Sequence, residues 1–469
     1  MRSIGVDVGT STTQVIFSEL LLENTGGFYS VPQIAITRKR ILYRSPIHPT
    51  PLLDECRIDA PALRAIVTEE FRRAGMERVQ TGAVIITGES ARKENAAAVL
   101  EGLSGLAGDF VAAVAGPDLE SLIAGQGSGA QALSKERRCR TANFDIGGGT
   151  TNIAVFENGE PSGVCCLDIG GRQLRFGPRG ELTYLSPSAA RLCEAIGLSL
   201  PVGQVPAMSA LRQLAACMAR LLEEAVRPGT GGMLELVRTR GSSTLPPPAP
   251  GSLIPVFSGG VADCIYKSGR DPFAFGDFGV LLGEAVRAGG LYANAFRARE
   301  TIRATVIGAG MYTASLSGST VSYSRKELFP LKNLPVFSVS PRQQDELFDG
   351  VWEETARAYQ WFLGQNDAQN AIVWLEGRQN PGYLELRRLA AALAELFRAA
   401  LPAGQPWLVL TYYDAAKALG LLLQPSGAPV IALDGLRAAP HQFIDLGQPV
   451  MHGLAVPVVI KTLMLNGSR

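Results

Sequence analysis

The amino-acid sequence predicts an α/β protein made of two related lobes and a further α/β domain at the C-terminal end. A strand–turn–strand pattern at residues 3–20 is repeated at residues 143–156, which predicts two copies of one structural unit. Beyond about residue 295, strand-like apolar runs alternate with helical patterns, which predicts parallel strands joined by helices. The predicted divisions are a first lobe with an insertion (1–140), a second lobe (141–295) and a C-terminal domain in which partner contacts are expected (296–469).

Length, composition and charge exclude several classes of protein. At roughly 150 residues per domain, 469 residues predict about three domains, and 46% apolar residues are enough to fill their cores. Disorder is therefore excluded as a description of the whole chain. The 44 Lys and Arg residues balance 43 Asp and Glu residues, so nucleic acid is not expected as the main partner.

The cysteines and the apolar segments predict a cytoplasmic protein. The seven cysteines show neither a disulfide framework nor a CxxC spacing, which favours a reducing compartment. The first residues, MRSIGVDVGTST, lack the charged and apolar regions of a signal peptide. No run of 18 uncharged apolar residues occurs, so a membrane span is not expected.

The elements between the two repeats follow from periodicity and turn residues. The first lobe is expected to alternate helices and strands after its opening hairpin, at 59–75, 81–87, 91–106, 111–114 and 118–133. The second lobe is expected to contain a helical region, a Pro-rich loop and a turn followed by a helix, at 188–226, 241–252 and 276–288.

Two segments of the last third allow more than one interpretation. Residues 383–400 place apolar residues on one helical face, which favours packing in a core over a groove for a partner. Residues 306–320 are rich in Gly, Ser and Thr. They are interpreted as an ordinary strand–helix turn, with a third turn that contacts a nucleotide as the alternative.

The repeated units carry the residue types that bind a nucleotide's phosphates. When Asp7 is set on Asp145, Gly9 falls on Gly147 and Thr12 falls on Thr150. Small residues let backbone N–H groups approach a phosphate, and a carboxylate holds the accompanying Mg²⁺, usually through water. A single copy is explained equally well as a tight β-hairpin. Two copies in register favour two turns that face each other across a cleft and bind ATP with Mg²⁺.

Five segments, in the right order, resemble the actin-like ATPase superfamily, which includes actin, the heat-shock chaperone ATPases and the sugar kinases. They are the two turns, a connecting segment at 116–125, VFSGGVADCIY at 256–266 and a second connecting segment at 276–285. The resemblance implies duplicated ribonuclease H-like lobes that close on ATP.

A narrower resemblance covers the whole chain. MRSIGVDVGTSTTQVIFS, TGESARKENA at 87–96, NFDIGGGTTNIAVFENG and VPVVIKTLM are similar to the ethanolamine ammonia-lyase reactivating factors. Members of that family are cytosolic bacterial proteins of ethanolamine utilisation. They use ATP to release damaged cobalamin from the lyase so that intact adenosylcobalamin can rebind. The resemblance also makes association with a bacterial microcompartment an expectation, and it leaves open whether several identical copies assemble.

The resemblance assigns roles to individual residues. Asp7 and Asp145 are expected to hold Mg²⁺ through water and to take part in catalysis. Gly259 and Gly260 are expected to face the adenine and the ribose. The phosphates are expected to lie between two sets of small residues: Gly9, Thr10, Ser11 and Thr12 on one side, and Gly147, Gly148, Gly149 and Thr150 on the other.

The carboxylate that positions the hydrolytic water is harder to assign. The chaperones place Glu before the Pro of the first connecting segment, where this chain has Gly116. Glu120 is the candidate, with Asp118 and Glu89 as alternatives, although such residues more often cap helices or face solvent. The three histidines, His48, His441 and His452, have no metal-ligand spacing and match no axial ligand of cobalamin, so the lyase is expected to bring the cobalamin.

Three other functions are compatible with the same turns. A small-molecule kinase would need a carboxylate base beside an acceptor hydroxyl, and no such signature is evident. A scaffold or filament protein would bind nucleotide in order to polymerise. A hydantoin-type hydrolase has a similar first turn, but the three histidines argue against its metal site.

Overall fold

A computed structural model describes most of the chain. The described residues are 1–10, 12–24, 34–54, 56–87, 90, 93–107, 111–114, 117–226, 232–246, 253–311, 315–316, 320–438 and 442–462. They form three large β-sheets and one two-stranded sheet, with helices packed against them. Within this part of the chain, no helix has the length and apolar content needed to cross a membrane.

The first sheet is built from an antiparallel hairpin extended by parallel strands. Its strands follow the order β3–β2–β1–β5–β6, with β4 paired to β2; β1 to β3 are antiparallel, whereas β1, β5 and β6 are parallel. Its elements and the helices around them are β1 (Arg2–Val8), β2 (Thr12–Asn24), β3 (Ile34–Arg44), β4 (His48–Pro49), α1 (Ala60–Arg73), β5 (Thr81–Ile86), α2 (Ala96–Ala107), β6 (Val111–Val114), α3 (Pro117–Gly127) and α4 (Ala130–Arg137).

The second sheet repeats this arrangement. Its order is β12–β7–β8–β9, with three antiparallel strands and one parallel neighbour of β7. Its elements are β7 (Arg140–Ile146), β8 (Thr151–Glu157), β9 (Glu160–Leu167), β10 (Leu174–Phe176), β11 (Leu182–Leu185), α5 (Pro187–Ala195), α6 (Met208–Glu224), a 3-10 helix (Gly232–Val237), β12 (Leu253–Ser258), α7 (Ala262–Tyr266), α8 (Gly279–Ala288) and a second 3-10 helix (Tyr292–Asn294).

The third sheet has eight strands in the order β13–β20–β19–β15–β16–β17–β18–β14, of which β15 to β18 are parallel. Its elements and the helix that precedes them are α9 (Ala304–Met311), β13 (Ser315–Leu316), β14 (Val321–Tyr323), β15 (Leu331–Ser338), α10 (Pro341–Phe348), α11 (Glu353–Gln365), β16 (Ile372–Leu375), α12 (Tyr383–Ala400), β17 (Trp407–Thr411), α13 (Ala416–Leu423), β18 (Val430–Leu433), β19 (Gln442–Leu446) and β20 (Pro457–Thr462). Three 3-10 helices complete the region: Lys326–Leu328, Gln424–Ser426 and Met451–Gly453.

These sheets confirm the predicted fold class. Both the first and the second sheet place three antiparallel strands beside a parallel strand that pairs with the first of them, which is the duplicated ribonuclease H-like arrangement of actin-like proteins. The alternation of parallel strands and helices from β15 to β18 confirms the additional C-terminal α/β region. The boundaries at residues 140 and 295 stay a prediction.

Helix α12 confirms the interpretation of residues 383–400 as a core helix. Leu389, Leu393, Leu396 and Phe397 are buried on one face, and the Phe397 ring stacks on Trp407 with centroids 5.5 Å apart. Fully burying one such side chain contributes roughly 1.5–3 kcal/mol. This apolar face therefore holds α12 on the sheet and is not exposed as a groove.

Helix α9 replaces the turn that was predicted within residues 306–320. The predicted turn is wrong for 306–311, because the glycines of this part lie within a helix that packs against α3, and the alternative of a nucleotide contact stays a prediction. A Cβ atom on Gly127 of α3 would lie 1.8 Å from the carbonyl oxygen of Ala304. A Cβ atom on Gly308 of α9 would lie 2.0 Å from the carbonyl oxygen of Ile123. The glycines thus permit backbone-to-backbone packing, which their sequence pattern does not distinguish from a turn.

The same contact corrects the second connecting segment. The resemblance placed it at 276–285, but α8, which begins at Gly279, packs against α6 and α7. Helix α9 is the element that lies against α3, and it also contacts β1, β2 and β5 of the first sheet. Two crossing helices, α3 and α9, therefore lie between the first and the second sheet.

We expect Gly308→Ala to destabilise the protein by about 1–3 kcal/mol or more, because the added methyl group must displace the backbone of α3. The measurement is the free energy of unfolding in urea, with Gly127→Ala as a second variant of the same contact. Gly364→Ala is the matched control. It lies in α11 with no atom within 4 Å of its added Cβ, so it should stabilise by up to about 1 kcal/mol. Equal effects of Gly308→Ala and Gly364→Ala would contradict the packing argument.

Candidate functional site

The two predicted turns have the same local geometry. The backbone N–H of Gly9 donates to the carbonyl of Thr12, and that of Gly147 donates to the carbonyl of Thr150, each over 2.9 Å. Each turn follows a strand that ends just beyond the predicted aspartate. The alignment of the two repeats is therefore also a structural correspondence.

Asp7 lies buried at the end of β1 and accepts a hydrogen bond from the Thr87 hydroxyl over 3.1 Å. Burial raises the pKa of Asp7 to about 7, the hydroxyl opposes this rise, and the negative charge of Asp145 adds to it. Asp145 thus lies near enough to Asp7 for its negative charge to disfavour ionisation of Asp7.

Asp145 is held by hydroxyl groups from two distant elements. Ser258, at the end of β12, donates to Oδ1 over 2.5 Å, and Thr305 of α9 donates to Oδ2 over 3.1 Å. Burial raises the pKa of this carboxyl, while the two hydroxyls lower it. Sequence reasoning assigned Ser258 only to the adenosine side and missed Thr305 and Thr87, because none of the three lies near its aspartate in the chain.

The second turn directs its carbonyl oxygens toward the protein. The carbonyl oxygens of its three glycines, taken in chain order, accept hydrogen bonds from the backbone N–H of Gly171 (2.9 Å), from the backbone N–H of Arg172 (2.7 Å) and from the side-chain amide of Gln173. The N–H groups of Gly148 and Gly149 donate to no acceptor in the described part of the chain. Backbone N–H groups arranged in this way favour an anion.

The first turn is anchored through one carbonyl. The Gly9 oxygen accepts from the hydroxyls of Thr50 (2.8 Å) and Ser90 (3.0 Å). Thr10 and Thr12 are half-buried in this turn, and Ser11 lies outside the described residues. These two hydroxyls fix the backbone of the first turn, and its position opposite the second turn stays a prediction.

The predicted adenosine segment packs against Ile146, the residue that precedes the glycines of the second turn. Gly259 has a φ of +86°, and a Cβ atom there would lie 2.4 Å from the carbonyl oxygen of Ile146, so the position requires glycine. Gly260 is exposed, with no atom within 4 Å of an added Cβ. This leaves an open surface beside Asp145.

The three candidate carboxylates have different surroundings. Glu120 lies buried on α3. Burial raises the pKa of the Cys166 thiol, and the negative charge of Glu120 raises this pKa further. Cys166 pairs with Asn152, which pairs with Asp145, so these side chains share one face of the second sheet. Asp118 instead binds the hydroxyl and N–H of Ser243. Glu89 and Gly116 lie outside the described residues.

Neutral oxygens complete the group around the aspartates. Gln14 pairs with Asp7 across the first hairpin, as Asn152 pairs with Asp145 across the second. Gln14 Nε2 donates to the carbonyl of Ile302 over 3.3 Å. The side-chain oxygens of Gln14 and Asn152 are buried with no hydrogen-bond partner among the described residues. An unpaired buried oxygen costs about 1–3 kcal/mol, so two of them in equivalent positions favour a bound water shell or cation.

These residues fit hydrated Mg²⁺. The described residues contain no group of three or more His, Cys, Asp or Glu side chains that could hold a metal ion directly. Mg²⁺ typically keeps several waters and binds one or two carboxylates together with substrate phosphates. Asp7 and Asp145 supply the carboxylates, and the two amide oxygens can accept from the waters.

The duplicated sheets, each with an equivalent aspartate turn after its first strand, define an actin-like protein. Within that class, the chain belongs to the family described as "Ethanolamine utilisation protein EutA", whose model matches residues 1–466. The ethanolamine ammonia-lyase reactivase EutA of Salmonella typhimurium is 37% identical over 469 residues, covering 99% of this chain and 98% of the relative. The protein of the same name from Escherichia coli K12 is 37% identical over 471 residues, with the same coverage.

Solved structures of other proteins show more distant similarity. A Ppx/GppA phosphatase of Aquifex aeolicus is 14% identical with a TM-score of 0.37, covering 66% of this chain and 99% of that one. The ethanolamine utilization protein EutJ of Carboxydothermus hydrogenoformans is 18% identical with a TM-score of 0.33, covering 66% and 90%.

We expect Asn152→Leu to raise the thermal stability of the nucleotide-free protein, because it removes an unpaired buried oxygen worth about 1–3 kcal/mol. The same change should weaken binding of nucleotide with Mg²⁺, measured by calorimetry. Thr355→Val is the matched control, since the Thr355 hydroxyl is also buried with no partner in the described part of the chain but lies in α11. It should stabilise without changing nucleotide affinity. A loss of stability in Asn152→Leu would show that the amide already has a structural partner.

The raised pKa of Asp7 predicts a pH-dependent stability. Between its ordinary value of 3.8 and about 7 the folded protein holds the proton more tightly than the unfolded chain does. Stability from this group is therefore fully present below 3.8 and is lost as the pH rises through about 7. Because each unit of pKa corresponds to about 1.4 kcal/mol, Asp7→Asn should raise the free energy of unfolding at pH 8 by roughly 4 kcal/mol, and much less at pH 4, in urea titrations without divalent cations. An equal gain at both pH values would contradict this assignment.

Proposed function

We propose that the protein is an ATP-dependent reactivating factor for ethanolamine ammonia-lyase. It would release damaged cobalamin so that intact adenosylcobalamin can rebind, and so support ethanolamine utilisation. The observation that carries the proposal is the pair of equivalent aspartate turns in a chain that matches two proteins named as reactivases over 99% of its length.

The site residues are proposed to bind ATP in the orientation that the turns dictate. The N–H groups of Gly148 and Gly149 would bind phosphate oxygens from one side, and the first turn would do so from the other. Gly259 and Gly260 would leave room for the adenosine. Bound Mg²⁺ would neutralise phosphate charge and polarise the terminal phosphorus, as metal ions do in phosphoryl transfer.

Glu120 is proposed to position the hydrolytic water. It is buried on the connecting helix α3, which packs against β7, β8 and β9 of the second sheet, and its charge acts on Cys166 of β9. The carboxylate would accept a hydrogen bond from the water and orient it toward the phosphorus.

Helix α9 offers a route from the nucleotide to the rest of the molecule. Thr305 on this helix bonds Asp145 of the second sheet, and the carbonyl of Ile302 just before it accepts from Gln14 of the first sheet. A change at the phosphates would alter both contacts and shift the two sheets relative to each other through α3 and α9. A ligand shifts such an equilibrium only through different affinity for the two states.

One cycle of ATP binding and hydrolysis would supply enough free energy to accelerate the release of cobalamin. Accelerating the release of a bound cobalamin a thousandfold requires about 4 kcal/mol, at about 1.4 kcal/mol for each factor of ten. The C-terminal region, beginning near residue 296, is proposed to contact the lyase. The protein would act in the cytoplasm, with the microcompartment as a proposed site of action.

We expect Asp7→Asn and Asp145→Asn to lower affinity for ATP with Mg²⁺ at least tenfold and to abolish reactivation, while circular dichroism shows an intact fold. Asp349→Asn is the matched control, because that aspartate is exposed at the end of α10. It should reactivate normally. Normal reactivation by either site variant would contradict the two-turn phosphate site.

The decisive assay mixes the protein with ethanolamine ammonia-lyase blocked by cyanocobalamin, Mg-ATP and fresh adenosylcobalamin. Recovery of lyase activity only with ATP supports the proposal. Absence of recovery in a protein that binds ATP overturns it. Phosphorylation of a sugar, glycerol or acetate would then support a kinase, and ATP-dependent light scattering without lyase would support a filament or scaffold.

A further inference from the structure

Arg172 lies against the second phosphate turn. Its backbone N–H donates to the carbonyl of Gly148 over 2.7 Å. The carbons of its side chain pass beside the same glycine, since a Cβ atom on Gly148 would lie 3.4 Å from Arg172 Cδ and 3.5 Å from Cγ. The stem therefore follows the turn whose N–H groups at Gly148 and Gly149 lack acceptors.

The Arg172 guanidinium has only a loose partner among the described residues. Its Nε atom lies 3.8 Å from Asp277 Oδ2, which is too long for a hydrogen bond. The side chain is 39% exposed. A guanidinium has five N–H donors, and the structure gives none of those of Arg172 a hydrogen-bond acceptor in the described part of the chain.

Asp277 accepts a hydrogen bond from a backbone N–H group rather than from Arg172. Its Oδ1 atom accepts from the N–H of Gly279 over 2.9 Å, at the start of α8. Burial raises the pKa of Asp277, whereas Arg172 and Arg175 lower it. Arg172 thus stabilises the charge on Asp277 from a distance, and its side chain stays partly exposed.

We infer that Arg172 is a phosphate-binding residue of the nucleotide site, in which its guanidinium and the N–H groups of Gly148 and Gly149 bind phosphate oxygens together. This inference rests on the proposed nucleotide-binding function and adds a residue to it. Guanidinium groups suit phosphate because their planar donors form paired, charge-assisted hydrogen bonds. The loose contact with Asp277 keeps the guanidinium near the turn until the phosphate binds.

The test compares ligands with and without phosphate. Calorimetry measures the affinities of wild-type protein and of Arg172→Gln for ATP with Mg²⁺, for ADP with Mg²⁺ and for adenosine. The glutamine keeps the stem beside Gly148 but removes the charge. Affinity for ATP and ADP should fall about 10- to 100-fold, as expected for a lost charge-assisted hydrogen bond, and affinity for adenosine should not change.

Two further variants separate phosphate binding from a purely structural role. Arg172→Lys should recover part of the ATP affinity, because it restores charge without the planar donors. Asp277→Asn should keep ATP affinity at or above that of wild type, since the amide oxygen can still accept from Gly279 and the guanidinium is released. Melting temperatures of all variants show whether each remains folded.

The outcomes distinguish this inference from the proposed function. If wild type binds ATP and Arg172→Gln binds it equally well, Arg172 does not bind phosphate and the proposed function stands. If Arg172→Gln loses ATP and adenosine affinity together, its role is structural and the inference is wrong. If wild type binds neither ATP nor ADP, both the inference and the proposed function are overturned.

Discussion

The buried carboxylate of Asp145 is the contact on which the arrangement of the site depends. It accepts one hydrogen bond from the Ser258 hydroxyl of β12 and another from the Thr305 hydroxyl of α9. A single side chain therefore joins the second turn to β12 and to α9, the helix that packs on the first sheet. A carboxylate this deeply buried is costly unless it is hydrogen-bonded. The two hydroxyls offset part of that cost, and they also hold three elements in one place.

The close packing of α3 and α9 complements this contact. Because glycine at positions 127 and 308 lets the two backbones touch, α9 can lie deep enough to bring Thr305 to Asp145 and Ile302 to Gln14. Larger residues would separate the helices and lengthen those hydrogen bonds. The packing of this helix pair and the hydrogen bonds of the two aspartate turns therefore depend on each other.

The duplication is symmetric in its backbone and asymmetric in its side chains. Both turns close with a Gly-to-Thr hydrogen bond over 2.9 Å, and both aspartates face an amide residue across the hairpin. Among the described residues, Arg172 lies beside Gly148 of the second turn, whereas Thr50 and Ser90 hold the backbone of the first turn.

The sequence by itself determined the features that are local in the chain. The aspartate turns, the duplicated sheets, the core helix α12 and the alternation of strands and helices after β15 depend on short-range periodicity and turn residues, and each was predicted. Only the tertiary structure decided which distant groups meet: Thr87 with Asp7, Thr305 with Asp145, and α9 with α3. Glycines 127 and 308 show why, since a glycine that permits close helix packing carries the same local signal as one that permits a turn. The physical reason is that hydrogen bonds and packing act between neighbours in space, whereas a sequence pattern records neighbours along the chain.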